Sequence, residues 1–351
     1  MKRLMLILIA CLMPVLMAAQ DSTLKGGEAK SEFNASEVIF GHVGDSYEWH
    51  ITKIGKKDLV IWLPVIVRTR DGEWRCFSSK HLSSDESEGT APEYEGLHIA
   101  PAGQPHEGKI VEADGIRPFD LSITKNVLSL IMSSILLVVL VLLTARWYRR
   151  HDACNEAPGG LAAAMEPLIM MVHDMARENI GEDYKRYSPY LITAFLFILL
   201  NNFMGIIPFF PGGANLTGNI ACTLVLALFT FFTVNLTGTK EYYKEIVSPD
   251  VPGILKPLMA VIEMFSAIVK PVSLTIRLFA NMLAGHIQIL SIVCIIFIMG
   301  KYGGVMLGGM SVLSVFFGIF LDCLEMLISF IQAYIFTMLS SIYIGLARVK
   351  Q

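Results

Sequence analysis

From Leu255 to Gly300 the chain runs forty-six residues in which only Lys256, Glu263, Lys270, Arg277 and His286 are charged or titrate near neutral pH. A helix needs about 20 apolar residues to cross a bilayer. In hydrocarbon only helices and closed barrels pair every backbone N–H and C=O group. This stretch is therefore expected to be membrane helix. Arg277 is its costly member. A guanidinium does not shed its proton, its pKa staying above about 12, and at mid-membrane it costs at least about 2.5–3.5 kcal/mol. A charge kept at that cost marks a functional site.

Helical spacing sharpens this. Ser273, Arg277, Asn281, Ala284 and Gln288 recur at i, i+4, i+8, i+11 and i+15, one face of a helix. His286 follows Arg277 by nine residues and at about 100° per residue points to the opposite side. The helix then has two polar surfaces, one with a fixed charge and one with a titratable group. The alternative is a structural arginine satisfied by carbonyls in a packed bundle.

The remainder fits a membrane protein. The 351 residues are 54% hydrophobic and 17% charged, against about 25% charged in soluble proteins. A net charge of −3 gives no electrostatic reason to expect nucleic acid. Six cysteines are scattered singly and the histidines irregularly, so no metal or cofactor is expected. The fold class expected is an all-α polytopic membrane protein of about five transmembrane helices, the C-terminal ones long and tilted, with a small β-rich external N-terminal domain.

In chain order, residues 1–20 combine Lys2 and Arg3, an apolar core and the pair Ala18-Ala19, the pattern of a signal peptide cleaved near Ala19 or Gln20, with an uncleaved anchor as the alternative. Residues 21–118 are polar and read as an exported domain between flexible flanks. In it the β-branched run DLVIWLPVIVRT, the turn Arg70-Asp71-Gly72-Glu73 and WRCF spell a hairpin. Residues 119–351 form the membrane domain. Its first span, 127–143, ends in Arg146, Arg149 and Arg150 with Trp147 and Tyr148, a cytoplasmic end by the positive-inside rule. Residues 160–187 are amphipathic and interfacial. Residues 190–207 cross outward to a Pro- and Gly-rich turn, and 219–236 return. Pro257, Lys270 and Pro271 divide 255–300 into a leading helix with Glu263 and a crossing helix with Arg277. The last span, 311–346, is overlong and hence tilted. Basic loops then fall on one side, placing the N-terminus outside and the C-terminus in the cytoplasm.

The last helix carries its own stripe, Asp322, Glu325, Ser329 and Gln332, at i, i+3, i+7 and i+10. Two acids on one helical face are expensive in lipid and are expected to face a partner helix or water. With His286 they make a set that can pass protons, beside a cation that cannot. Either acid could also lie hydrated at the interface. No carboxylate carrier stands at mid-membrane in this chain, so it is expected on another subunit. A secondary cation/proton antiporter using Arg277 and Glu325 is the alternative, and it would require internal repeats with broken helices.

The segment KPVSLTIRLFANMLAGH resembles the signature of the a subunit of F-type rotary ATP synthases. The resemblance extends over 119–351 through LNNFMGIIPFFPGGANLTGNI, LMAVIEMFSAIVKPVSL and ISFIQAYIFTMLSSIYIGLA. It implies a non-catalytic, proton-translocating subunit of the bacterial inner membrane whose two half-channels lie beside a ring of c subunits. Its other implied partners are the b subunits of the peripheral stalk and the rest of the complex. By position it implies that Arg277 faces the ring, that Asn281 and Gln332 flank it, and that His286 and Glu325 form an exchanged acid–imidazole pair. Glu263, Asp322, Ser273 and Gln288 are secondary half-channel candidates. Residues 21–118 are a departure from most members, which have a shorter external N-terminus. No GxxxxGK[ST] phosphate loop is present, in keeping with ATP chemistry elsewhere.

Overall fold

The computed structural model describes residues 44–54, 57–82, 93–101, 106–151, 156–207, 212–247, 252, 255–300 and 304–348. The expected signal peptide and the turn at 208–211 lie outside the described residues. The chain divides into two compact units. One comprises Met1–Met132, Ile207–Ala214 and Leu290–Ile319, the other Ser133–Ile206, Asn215–Ile289 and Phe320–Gln351.

The first unit holds the β-rich domain. Strands β1 (Glu48–Ile54) and β2 (Lys57–Trp62) pair antiparallel. Strands β3 (Pro64–Arg68), β4 (Trp74–Ser78) and β7 (Phe119–Asp120) form a second sheet in the order β4-β3-β7. Strands β5 (Leu97–Ile99) and β6 (Ile110–Glu112) form a third. The expected hairpin is β3–β4. Its turn closes with Thr69 N–H donating to the Glu73 carbonyl at 3.0 Å, and Gly72 takes φ 84°. The run expected to be continuous breaks at Pro64, where a missing N–H interrupts a ladder. Leu63 N–H bonds the Ser79 hydroxyl instead, at 3.0 Å, and the two halves join different sheets. The downstream flank, expected to be flexible, contains β5 and β6. Leu97 and Ile110 pack into a core with Tyr47, Val65, Val67 and Leu82. Tyr47 donates to the Asp120 carboxylate at 2.5 Å.

Seven helices are described: α1 (Lys125–Arg150), α2 (Leu161–Ile180), α3 (Tyr184–Ile206), α4 (Ile220–Thr237), α5 (Lys240–Val247), α6 (Lys256–Gly300) and α7 (Gly304–Arg348). Among the described residues five stretches are long and apolar enough to cross a membrane: α1, α2 with α3, α4, and most of α6 and α7. The amphipathic stretch read as 160–187 ends earlier. Gly181 at φ 75° stops α2, a short 3₁₀ turn (Gly181–Asp183) follows, and α3 starts at Tyr184. Asn219 caps α4, its side chain accepting from Ala221 N–H at 3.0 Å.

The split expected in 255–300 does not occur, because α6 is one 45-residue helix with Pro271 inside it. A proline removes one helical hydrogen bond and costs about 3 kcal/mol in a water-exposed helix. Ending a helix strands up to four carbonyls and four N–H groups, each worth several kcal/mol in hydrocarbon. Continuity wins. At 1.5 Å per residue, α6 and α7 each reach about 68 Å, more than twice a bilayer core of about 30 Å. Neither fits upright within that core.

In the second unit Leu191, Phe195, Ile198, Leu274, Leu278, Phe336 and Ile344 are fully buried together. The end of α7 is pinned. Arg348 Nε donates to Asp183 at 3.0 Å and Nη1 to the Thr237 carbonyl at 3.2 Å. Asn179 donates to the Ser341 hydroxyl at 2.8 Å. A Cβ on Gly345 would overlap the Asn179 carbonyl oxygen, so only glycine permits this approach.

Candidate ion pathway

Leu274, Leu278 and Met282 are buried along one stripe of α6, and α7 approaches this helix through Gln332 and Glu325. Helical counting places Asn281 about 100° to one side of Met282 and His286 about 40° to the other. Both reach α7 from the margins of that stripe. Asn281 Nδ2 donates to Gln332 Oε1 at 2.8 Å, and His286 Nδ1 lies 3.4 Å from Glu325 Oε1. Sequence spacing sets Arg277 and His286 on opposite surfaces of α6. The structure adds that α7 is reached from both sides of the buried stripe, by Asn281 and by His286. Arg277 lies about 40° beyond Asn281, turned further from α7. It is half-buried and makes no hydrogen bond or ion pair with any described residue. Ile276 and Ala280 near it and Ala284 on its own face are exposed.

The stripe expected on α7 is the buried one. Glu325, Ser329 and Gln332 are 6%, 2% and 4% exposed, and Asp322 is half-buried. The Glu325 carboxyl sits against Gly285. A Cβ there would lie 2.7 Å from Oε1 and 2.9 Å from Cδ. The His286 Nδ1 group is also 3.2 Å from the Met282 carbonyl, and neither Glu325 oxygen completes a hydrogen bond. Imidazole and carboxyl are thus in ion-pair range without a directed bond, an arrangement a small motion or one water converts into a proton transfer.

Several polar residues here escaped the sequence reading. Asn202 of α3 is buried, accepts from Thr217 at 2.8 Å and donates to the Ser329 carbonyl at 3.3 Å. Tyr190, Thr230 and Ser340 form a chain with oxygens 2.8 and 3.2 Å apart. The signal was available in the mid-span pair Asn201-Asn202, since two amides inside an apolar run need partners. Other candidates stay apart. Ser273 is half-buried and Gln288 exposed, and neither bonds a described residue. Glu263 lies two turns before Lys270 and its charge acts on the α5 phenol of Tyr242, whose pKa is raised by burial, then by Tyr243 and Glu263. Among the described residues no three His, Cys, Asp or Glu side chains converge as a metal site.

Residues 130–345 match the profile of the family described as ATP synthase A chain. The chain belongs to that family. The ATP synthase subunit a 2 of Prosthecochloris aestuarii is 42% identical over 260 residues, 73% of this chain and 76% of that one. Subunit a of Pelodictyon phaeoclathratiforme is 44% identical over 257 residues, 72% of each chain. That of Myxococcus xanthus is 37% identical over 235 residues, 65% of this chain and 73% of its own. The chain is accordingly a multi-pass membrane subunit that translocates protons in the Fo sector, without catalysis of its own. Residues 38–127 match a second family, described as a domain of unknown function (DUF8433). Covering 73% of this chain, the Prosthecochloris alignment is longer than 119–351 and so includes part of the N-terminal region. That region is not peculiar to this chain.

Proposed function

We propose that α6 and α7 form the two half-channels against a ring of c subunits, with Arg277 between them. The observation that carries this is Arg277 itself, a permanent cation on an apolar helix, turned away from α7 and unpaired among the described residues. A carboxylate on a neighbouring subunit is the partner of lowest cost for such a charge, since an unpaired guanidinium in hydrocarbon is expensive.

A proton enters from outside through Asp322, Glu325 and His286, with Ser329 and Asn202 lining the route. It neutralises a c-subunit carboxylate, which then rotates into lipid. After nearly a full turn that carboxylate meets the second half-channel, where Ser273 and Glu263 stand on the Lys270 side of Arg277. There it releases its proton to the cytoplasm and is drawn toward the guanidinium. Asn281, held by Gln332, sets the margin beside the arginine. Because Arg277 cannot deprotonate, it cannot relay a proton between the two routes. The membrane potential supplies about 2.3 kcal/mol per charge per 100 mV. Gln288 marks the outer continuation of the ring-facing surface. The b subunits hold this stator in place.

The same reading puts the chain in the bacterial inner membrane, with residues 1–20 as a signal peptide, 21–118 as an exported domain and the C-terminus of 119–351 in the cytoplasm. Cysteine cross-linking in membranes tests the central point. Cysteines at Asn281 or Ala284, both exposed beside Arg277, and along the acid-bearing helix of the c subunit are expected to cross-link with helical periodicity. No cross-link at any register, with the complex assembled, overturns the ring-facing assignment.

A further inference from the structure

The three-stranded sheet β4-β3-β7 has one face in the domain core and one face that no described residue of its own unit covers. Val65 and Val67 point into the core at 0% exposure. Alternation sends Pro64, Ile66 and Arg68 to the other side. Register adds Trp74 opposite Arg68, Cys76 opposite Ile66, and Phe119 also opposite Arg68. Leu121, two residues after Phe119, points the same way. The result is an open apolar face on which Trp74, Phe119 and Leu121 are 56%, 62% and 57% exposed. The Trp74 and Phe119 rings meet edge to face at 6.5 Å. The one charged side chain on this face, Arg68, stacks over Trp74 with Cζ 5.9 Å from the ring centre.

We propose that this face rests on the lipid surface of the membrane that α1 enters, with Trp74 and Phe119 at headgroup depth and Arg68 on lipid phosphate. Three observations favour lipid as the occupant. The sheet is joined to the membrane helix without a free linker. Leu121 N–H bonds the Ile66 carbonyl at 2.9 Å, Ile123 N–H bonds Pro64 at 3.1 Å, and Lys125 N–H, the first residue of α1, bonds Ser46 at 2.9 Å. The exposed apolar surface of α1 begins at Val127, 39% exposed, six residues after Leu121 and so at most about 20 Å along the chain. An aromatic pair with an arginine, free of acids, is also the composition that membrane interfaces select. A protein-facing patch would not need to sit at this height. The inference rests on the membrane reading of α1 and not on which side the domain occupies.

The test uses the full complex in lipid vesicles, with the five other cysteines of the chain replaced by Ser and a nitroxide on Cys76, which is exposed and free. Oxygen collisions at this label should exceed those of a water-soluble nickel chelate several-fold, and a label on exposed Asp114 should show the reverse order. Serine at Trp74, Phe119 and Leu121 together should bring the Cys76 label to the Asp114 pattern while proton pumping is kept. Nickel access at Cys76 equal to that at Asp114 would mean the face lies in water. Low access to both reagents would mean another protein covers it. Either result overturns the proposal. As a label-free check, brominated lipid should quench part of the tryptophan emission, and W74F should remove that part; an unchanged quenched fraction also overturns it.

Discussion

Replacing Gly285 with Ala is the most direct probe of the acid–imidazole pair. The added methyl carbon would lie 2.7 Å from Glu325 Oε1 and 2.9 Å from Cδ. Ordinary van der Waals contact begins near 3.4 Å, so the carboxyl must retreat by about 0.7 Å or rotate off its rotamer, at about 0.5–1.5 kcal/mol. Overpacking of this kind costs about 1–3 kcal/mol in total, which a long packed helix pair can absorb. Geometry is the larger casualty. His286 Nδ1 already stands 3.4 Å from the carboxyl, and a displacement near 1 Å at a transfer site can cost about 100-fold in rate. ATP-driven proton pumping in inverted vesicles, normalised to assembled complex, should fall about 10- to 100-fold in Gly285→Ala. Adding Glu325→Asp withdraws the carboxyl by one methylene and should restore part of the loss. Full pumping in Gly285→Ala, with normal assembly, would refute the claim that the carboxyl needs this space. A loss that Glu325→Asp deepens would refute the steric cause.

His286→Ala and Glu325→Ala should each slow pumping, and the double variant should lose little more than the worse single one; additive losses in log rate would mean that they act separately. In the N-terminal domain, burial and the Asp120 carboxylate push the Tyr47 phenol well above its usual 10.0. A group whose folded pKa is raised contributes its stability below the unfolded pKa and loses it above. The domain should therefore lose up to about 1.4 kcal/mol per pH unit above pH 10, seen as a falling Tm that Tyr47→Phe removes. An identical alkaline slope in the variant would assign the effect elsewhere.

How much of this is legible in the chain depends on which interactions are local. Helical periodicity is a property of sequence, so the stripes Ser273–Gln288 and Asp322–Gln332 are legible in the chain itself, as is the cost of a guanidinium in hydrocarbon. The β3–β4 hairpin is equally local, carried by the turn at Gly72. Two boundaries differ from the sequence expectation because the deciding energy is not in the dipeptide. Lys270-Pro271 reads as a break in water, whereas the bilayer penalises broken backbone more than a proline inside a helix. Pro64 splits one β-run because its two halves find different partner strands. What only the tertiary structure decided is which polar residues meet. No spacing rule says that Asn281 and His286 flank one buried stripe and touch the same helix. None says that Gly285 opens the space for Glu325, or that Asn202 lies beside Ser329. Those contacts join residues tens to more than a hundred positions apart, and packing of whole helices sets them. The inventory of charges and the faces that carry them belong to the sequence alone, since each follows from residue identity and the helix repeat. Folding chose the pairs.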